Sequence, residues 1–311
     1  MEKTPDKQFI DHAKLSEYTT FQLGGKCRAL IQCSTEEVFL SVMREIHKRR
    51  ERHVVLGGGS NSVFLDQGLE ATVIRYYNEE TEIKQYGTYL VVPASCPMDS
   101  LALFAAENGL AGLEFANGIP GTLGGAISGN AGAFGCQIAD IINSVRIFTQ
   151  QCTIREVQSA EMKFDYRFSR LQNSREVALS AFLALAEGDR TKLLEERARI
   201  LELRRDKHPD WRTTPTAGSL FKNIEGPVPS EKKLAAGYLL EQAGAKKMKV
   251  GGAEIFPKHA NMIIKANPKC TTEDVFALAV KMHSAVKEKF NISLTPEVRF
   301  YDTTGQIRHL D

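Results

Sequence analysis

Glycine is the residue type whose spacing first suggests chemistry in this chain. Nine of its 24 glycines fall between Gly109 and Gly135, where a uniform spread would put about two. Glycine loses more backbone entropy on folding than any other residue, so such density needs a reason. Backbone without side chains can approach a ligand closely and aim N–H groups at it, as phosphates and the edge of a flavin ring require. Ile119, Leu123, Ile127 and Phe134 are interleaved at core-like spacing, which sets this segment apart from a flexible linker. A second cluster, Gly57-Gly58-Gly59-Ser60-Asn61, follows an apolar run. It reads either as a nest of donors for a pyrophosphate or as a plain turn between strands. It is not a dinucleotide-binding fingerprint, because Ser62 stands where the third glycine belongs, and no Gly-Lys-Ser/Thr follows to make a P-loop.

The elements that must hold these loops alternate in type. Cys27 to Cys33 reads as a strand, and Ser34-Thr35-Glu36-Glu37 as a capping box opening a helix to about Arg50. His53 to Leu56 and Ala71 to Arg75 read as strands, and Thr81 to Pro93 as a hairpin turning at Gly87. A helix is expected from Pro97 through Asn108, ended by Gly109. Strands follow at Ser144 to Thr149 and Val177 to Leu185, then a charged helix capped by Asp189 that must stop before Pro209. Thr213 to Ser230, rich in Thr, Pro and Gly, looks like a domain entrance. Beyond it are expected a helix (Glu231 to Gln242), a strand (Met262 to Lys265), a helix (Thr272 to Phe290) and a last strand, Val298 to Tyr301.

Forty basic against 38 acidic residues leave a net charge of +2, which argues against a nucleic-acid binder. The run Lys48-Arg49-Arg50-Glu51-Arg52 reads as a solvated helix end that matches the helix dipole. With 42% hydrophobic and 25% charged residues, no apolar run near the ~20 residues of a membrane helix and no apolar signal segment behind Met1, a soluble globular protein of the cytoplasm is expected. The six cysteines (Cys27, Cys33, Cys96, Cys136, Cys152 and Cys270) have no zinc spacing and read as buried thiols in a reducing compartment, with no metal site.

The two glycine clusters, in this order, resemble the FAD domain of the vanillyl-alcohol-oxidase/PCMH superfamily. More narrowly, the chain is similar to the UDP-N-acetylenolpyruvoylglucosamine reductase (MurB) family. The supporting strings span nearly the whole chain: Thr19 to Gly25, Val55 to Asn61, Gly118 to Gly121 through Asn130-Ala131-Gly132, Phe164 to Ser169, Ala217 to Asn223, and Leu294 to Phe300. The resemblance implies an α+β fold: a two-part FAD-binding domain over 1–205 (parts about 1–80 and 81–205, with 297–311 returning to it) and a smaller substrate domain over 206–296. It implies non-covalent FAD, NADPH as reductant, a UDP-sugar substrate, and no obligatory protein partner. FAD contacts are expected at Gly57, Gly58, Gly59, Ser60, Asn61, Gly118, Ile119, Pro120, Gly121, Gly124, Gly125, Ala126, Asn130 and Arg299. Substrate contacts are expected at Lys207, Asn223, Tyr238, Lys246 and Glu273. Only 52 positions separate Arg167 from Ser219, so the chain looks like the shorter branch of the family and no lid tyrosine is assigned.

The resemblance places the catalytic roles on Arg167, Ser219 and Glu297. An arginine suits a carboxylate, because its planar fork holds both oxygens and stays charged. A structural pairing of Arg167 with nearby Asp165 is the plainer alternative. Ser219 follows a glycine and could protonate a carbanion; as a lone residue it would read as a turn or helix cap. Glu297, just before an apolar strand, could donate a proton if desolvated, or orient and relay if ionised. It also reads as an ordinary strand-end glutamate. Two other functions remain open: a flavoenzyme of the same superfamily that oxidises a small alcohol or hydroxy acid, and a nucleotide-binding module without chemistry.

Overall fold

The computed structural model describes residues 6–224 and 233–310. They fall into two compact units: residues up to Asp11, Ala29–Gly58 and Thr72–Arg204 in the first; His12–Arg28, Gly59–Ala71 and the residues from Arg205 onward in the second. Among the described residues seven α-helices occur: α1 (Glu36–Lys48), α2 (Met98–Glu107), α3 (Leu123–Gly129), α4 (Leu171–Ser174), α5 (Arg190–Lys207), α6 (Ala236–Gln242) and α7 (Thr272–Phe290). With them go several small sheets, so the architecture is α+β, as expected.

One sheet orders the strands Lys7–Asp11, Cys27–Cys33, Leu69–Tyr76 and His53–Leu56, the last two parallel. α1 buries Phe39, Leu40, Val42, Met43 and Ile46, the three-to-four spacing of an amphipathic helix. Its cap is simpler than the expected box. Thr35 accepts the Val38 N–H, the third helical position carries no carboxylate, and the Ser34 hydroxyl turns to Asp6 instead. A five-stranded antiparallel sheet runs Ile154–Gln158, Ile142–Phe148, Val177–Ala184, Tyr89–Pro93, Lys84–Tyr86. Its Gly87 turn has φ +62°, which glycine adopts without strain. Asp189 caps α5 by accepting the Thr191 and Lys192 N–H groups at 2.8 and 3.2 Å.

α3 was not foreseen, since its segment reads as glycine-rich loop. Two glycines inside a helix cost about 1 kcal/mol each against alanine. The helix forms because Thr122 caps it, Leu123, Ala126 and Ile127 are buried along one stripe, and Asn130 ends it in the left-handed conformation at φ +43°.

In the second unit Lys249–Val250, Ala253–Ile255 and Ile263–Lys265 form an antiparallel sheet. Leu239, Leu240, Val275, Leu278, Met282 and Val286 share one core with Leu220 and Phe221. Arg299–Tyr301 pairs in parallel with Ser62–Phe64, so the last expected strand meets the chain just beyond the first glycine cluster. The helix expected from Glu231 begins only at Ala236: Glu231 and Lys232 lie outside the described residues, Leu234 pairs with Ile224 as extended chain, and Ala235 is the cap. The part of Thr213 to Ser230 beyond Ile224 also lies outside the described residues. Four cysteines are buried as expected, but Cys136 is exposed and Cys152 is only half-buried. Burial pushes the Cys33, Cys96 and Cys270 thiols up to about 12, which keeps them protonated and unreactive.

Candidate functional site

The first unit brings Gly57 and Gly58 of the first glycine cluster against the second cluster. A Cβ on Gly57 would collide with Thr122 Oγ1, and one on Gly58 would sit 2.6 Å from Gly121 Cα. Gly124 is tightly but less severely confined, its missing Cβ lying 3.1 Å from that of Ala94. Part of the glycine density therefore serves chain-on-chain packing rather than ligand approach. Gly125 is different: it is exposed, and a Cβ there would meet only Thr122 Oγ1 at 3.7 Å. Among the described residues, the backbone N–H groups of Gly58, Gly121 and Thr122 donate to no protein acceptor. Three donors on two touching loops suit an anion such as a pyrophosphate. Ile119 packs on the core, Pro120 is exposed, and Ala126 N donates to Thr122 O at 2.9 Å within the helix.

These loops have a support that sequence reasoning missed. Asp99 in the first turn of α2 accepts the Gly118 N–H at 2.7 Å and both arms of Arg197 at 2.7 and 2.8 Å. Arg204 donates to Asn117 O at 2.7 Å and Phe115 O at 3.2 Å. Burial raises the Asp99 carboxyl, but the hydrogen bonds from Arg197 and Gly118 outweigh it and hold the group below its usual range. No sequence signal joins residues 80 to 98 positions apart.

Arg167 occupies a two-residue turn closed by mutual hydrogen bonds between Asp165 and Phe168 at 3.1 and 3.0 Å. Its φ is +54°, the left-handed region, which costs a non-glycine residue about 1 kcal/mol or more. The turn is fixed to the end of α3. Asn130, fully buried, donates to Asp165 O at 2.8 Å, and the Ser169 hydroxyl donates to Ser128 O at 2.9 Å. The guanidinium donates to Gly132 O at 2.7 Å. Asn130 was expected to touch cofactor; its amide instead ties this turn and the Gln137 side chain into the fold.

Ser219, Glu297, Asn61 and Arg299 lie in the second unit, with Gly59 and Ser60. A Cβ on Gly59, whose φ is +65°, would collide with Tyr18 O, so this glycine too is set by packing. Ser219 stands opposite Met262 and Phe221 opposite Pro296 in isolated bridges, with a bend at Leu220. Glu297 N donates to Leu220 O at 2.7 Å, which puts the serine and the glutamate on neighbouring segments. The Asn61 amide donates to Glu297 O at 3.0 Å, and Arg299 N to Asn61 O at 3.1 Å. Gly218 has φ +80° and open space where a Cβ would be. Among the described residues the Ser219 hydroxyl makes no hydrogen bond, so it is no turn or helix cap.

Of the expected substrate contacts, Asn223 accepts the Ala236 N–H at 3.1 Å and so caps α6. Glu273 pairs with Arg308 at 3.0 Å and Lys246 with Glu241 at 2.6 Å. Tyr238 is 57% exposed on α6, and Lys207 is exposed at the end of α5.

Comparisons with known proteins cover most of the chain. Residues 209–301 match the family described as UDP-N-acetylenolpyruvoylglucosamine reductase, C-terminal domain, and residues 27–158 match the FAD binding domain family. The chain is 34% identical over 301 residues to the UDP-N-acetylenolpyruvoylglucosamine reductase of Heliobacterium modesticaldum, covering 96% of this chain and 93% of the relative. It is 33% identical over 285 residues to that of Bacillus subtilis, covering 91% of each. The crystal structure of the Thermus caldophilus reductase (MurB) superposes with a TM-score of 0.75 at 28% identity, covering 94% of this chain and 98% of that one. The chain belongs to the UDP-N-acetylenolpyruvoylglucosamine reductase family.

Proposed function

We infer that this protein uses NADPH to reduce UDP-N-acetyl-3-O-(1-carboxyvinyl)-glucosamine to UDP-N-acetylmuramate by way of bound FAD, a step of peptidoglycan synthesis in the cytoplasm. The observation that carries the reading is Ser219. Its hydroxyl has no partner among the described residues, it follows a glycine whose α-carbon faces open space, and its segment is hydrogen-bonded to that of Glu297.

The glycine loops fit a dinucleotide cofactor, since three backbone donors are left over where they touch. Residues Gly57 to Asn61, Gly118 to Gly121, Gly124 to Ala126 and Arg299 would hold FAD, which supplies two-electron transfer between NADPH and the vinyl carbon of the substrate. Asn130 acts behind them by fixing the Arg167 turn. The FAD domain takes residues 1–205 with 297–311, and the UDP-sugar domain 206–296.

The residues of the chain then have separable tasks. Arg167 binds the substrate carboxylate and stays charged as negative charge grows beside it. Once hydride has reached the vinyl CH₂, the neighbouring carbon carries the excess electron pair, delocalised into the carboxylate as an enolate. The Ser219 hydroxyl gives its proton to that carbon, and the resulting alkoxide recovers a proton from solvent. Glu297, one segment away, stabilises the enolate or relays the returning proton. Lys207, Tyr238, Lys246, Asn223 and Glu273 are assigned to the UDP-sugar; for the last three this means exchanging a present partner for substrate.

Turnover in D₂O with NADPH tests the scheme by mass spectrometry of the product. A deuteron should appear on the carbon beside the carboxylate, whether or not a second reaches the methyl carbon by solvent exchange of the hydride-bearing N–H. NADPH consumption without any lactyl-ether product would contradict the assignment.

A further inference from the structure

Asn261 lies in a turn of the second unit, is 3% exposed, and belongs to none of the motifs described above. Its side-chain oxygen accepts the Phe221 N–H at 3.0 Å, and its side-chain nitrogen donates to Phe221 O at 2.8 Å. Its backbone oxygen accepts the Leu220 N–H at 2.8 Å. One asparagine thus makes three hydrogen bonds to the two residues that follow Ser219. Leu220 and Phe221 are 3% and 1% exposed, so water does not compete for these bonds.

The opposite side of the segment is held by Glu297 N on Leu220 O and by Lys222 N on Thr295 O at 2.9 Å. The segment before the serine is anchored as well: Thr20 Oγ1 donates to Thr216 O, and Thr216 Oγ1 to Ile263 O, both at 2.7 Å. Between these anchors Gly218 N donates to Thr216 Oγ1 at 3.2 Å, and Gly218 is the one residue type that strains little at φ +80°. Asparagine supplies a donor and an acceptor in one plane, the pair that a backbone N–H and C=O on one residue demand. The turn is itself fixed, with Met262 N donating to His259 O and Asn261 N to His259 Nδ1.

We propose that Asn261 is a positioning residue for proton delivery: its amide locks Phe221, beside the backbone bond that holds Leu220, and so sets where the Ser219 hydroxyl stands. This rests on the reading of Ser219 as the proton donor. Such control has large leverage, because a misplacement of about 1 Å can cost ~10²-fold in rate.

The test uses the full-length FAD-loaded protein and stopped-flow measurement of the two half reactions. Asn261→Asp keeps the size and the acceptor for Phe221 N–H but turns the donor into a second acceptor facing Phe221 O. Asn261→Ala removes both bonds. Expected is flavin reduction by NADPH near the wild-type rate, with reoxidation by the enolpyruvyl sugar slowed ~10²-fold. In a Ser219→Ala background the Asn261→Asp change should add almost nothing, because a residue acting through Ser219 has nothing left to act on. Equal slowing of both half reactions, multiplying losses in the double variant, or no slowing would each overturn the proposal. So would both single variants failing to fold, since Asn261 would then be a stability element. If reduced wild-type protein is not reoxidised by the sugar, the functional reading itself falls, an outcome visible before any variant is made.

Discussion

A serine hydroxyl is a weak acid, so a serine that protonates carbon must be held close to it and resupplied quickly. Among the described residues the hydroxyl has no partner, and its neighbours Leu220 and Phe221 are fixed on both sides. Ser219→Ala should therefore leave flavin reduction by NADPH near the wild-type rate and slow reoxidation by substrate by ~10²–10⁴-fold or more, with partial rescue by cysteine. Stopped-flow traces would show it; equal slowing of both halves would make Ser219 a binding residue. At this scale the sequence was legible in type but not in conformation. Arg167, Ser219 and Glu297 could be named by resemblance, yet nothing near Arg167 announces a left-handed φ, which depends on the end of α3 some 40 positions earlier. Asn130 and Asn223 illustrate the same limit: each has a structural hydrogen bond that only the folded chain reveals.

At the scale of elements, local signals served where they were strong. α7 spans Thr272–Phe290 as expected from the sequence, with a capping box between Thr271 and Asp274. α3 escaped because its stability comes from tertiary contact: Gly124 N donates to Ala94 O at 2.9 Å, and Leu123 N to Cys96 O at 2.8 Å. Helix propensity alone argues against two adjacent glycines. The structure also separates those glycines. Gly124→Val forces a side chain into Ala94 and should cost folding and FAD content together. Gly125→Val points into open space and should leave thermal unfolding within a few degrees of wild type while abolishing FAD binding. Melting temperature and flavin content of the two purified variants would check this. A Gly125→Val protein with full flavin would remove the cofactor from α3.

For the molecule as a whole, composition excluded more than it identified. A near-neutral charge and the lack, among the described residues, of a helix long and apolar enough to cross a membrane set bounds without naming a reaction. The family became legible because six separated strings keep one order along the chain, an arrangement that chance composition does not produce. How the chain folds into two interleaved units was not legible, since segments as distant as Ser62–Phe64 and Arg299–Tyr301 pair directly. One whole-protein property follows from a short stretch. Gly57 to Ser62 holds no histidine to which a flavin could be attached, so acid precipitation should release all the yellow colour into solution. Colour kept in the pellet would show a covalent link.

The central claim is that one bound flavin takes electrons from NADPH and gives them to the enolpyruvyl sugar. Anaerobic absorption spectroscopy of the purified protein tests it most directly. The account predicts a flavin spectrum that bleaches on adding NADPH and returns in full when UDP-N-acetyl-3-O-(1-carboxyvinyl)-glucosamine is added without oxygen. A colourless protein that stays colourless with added FAD, a bleached flavin that the sugar leaves unchanged, or an oxidised flavin that a small alcohol or hydroxy acid bleaches while NADPH does not, would contradict the account.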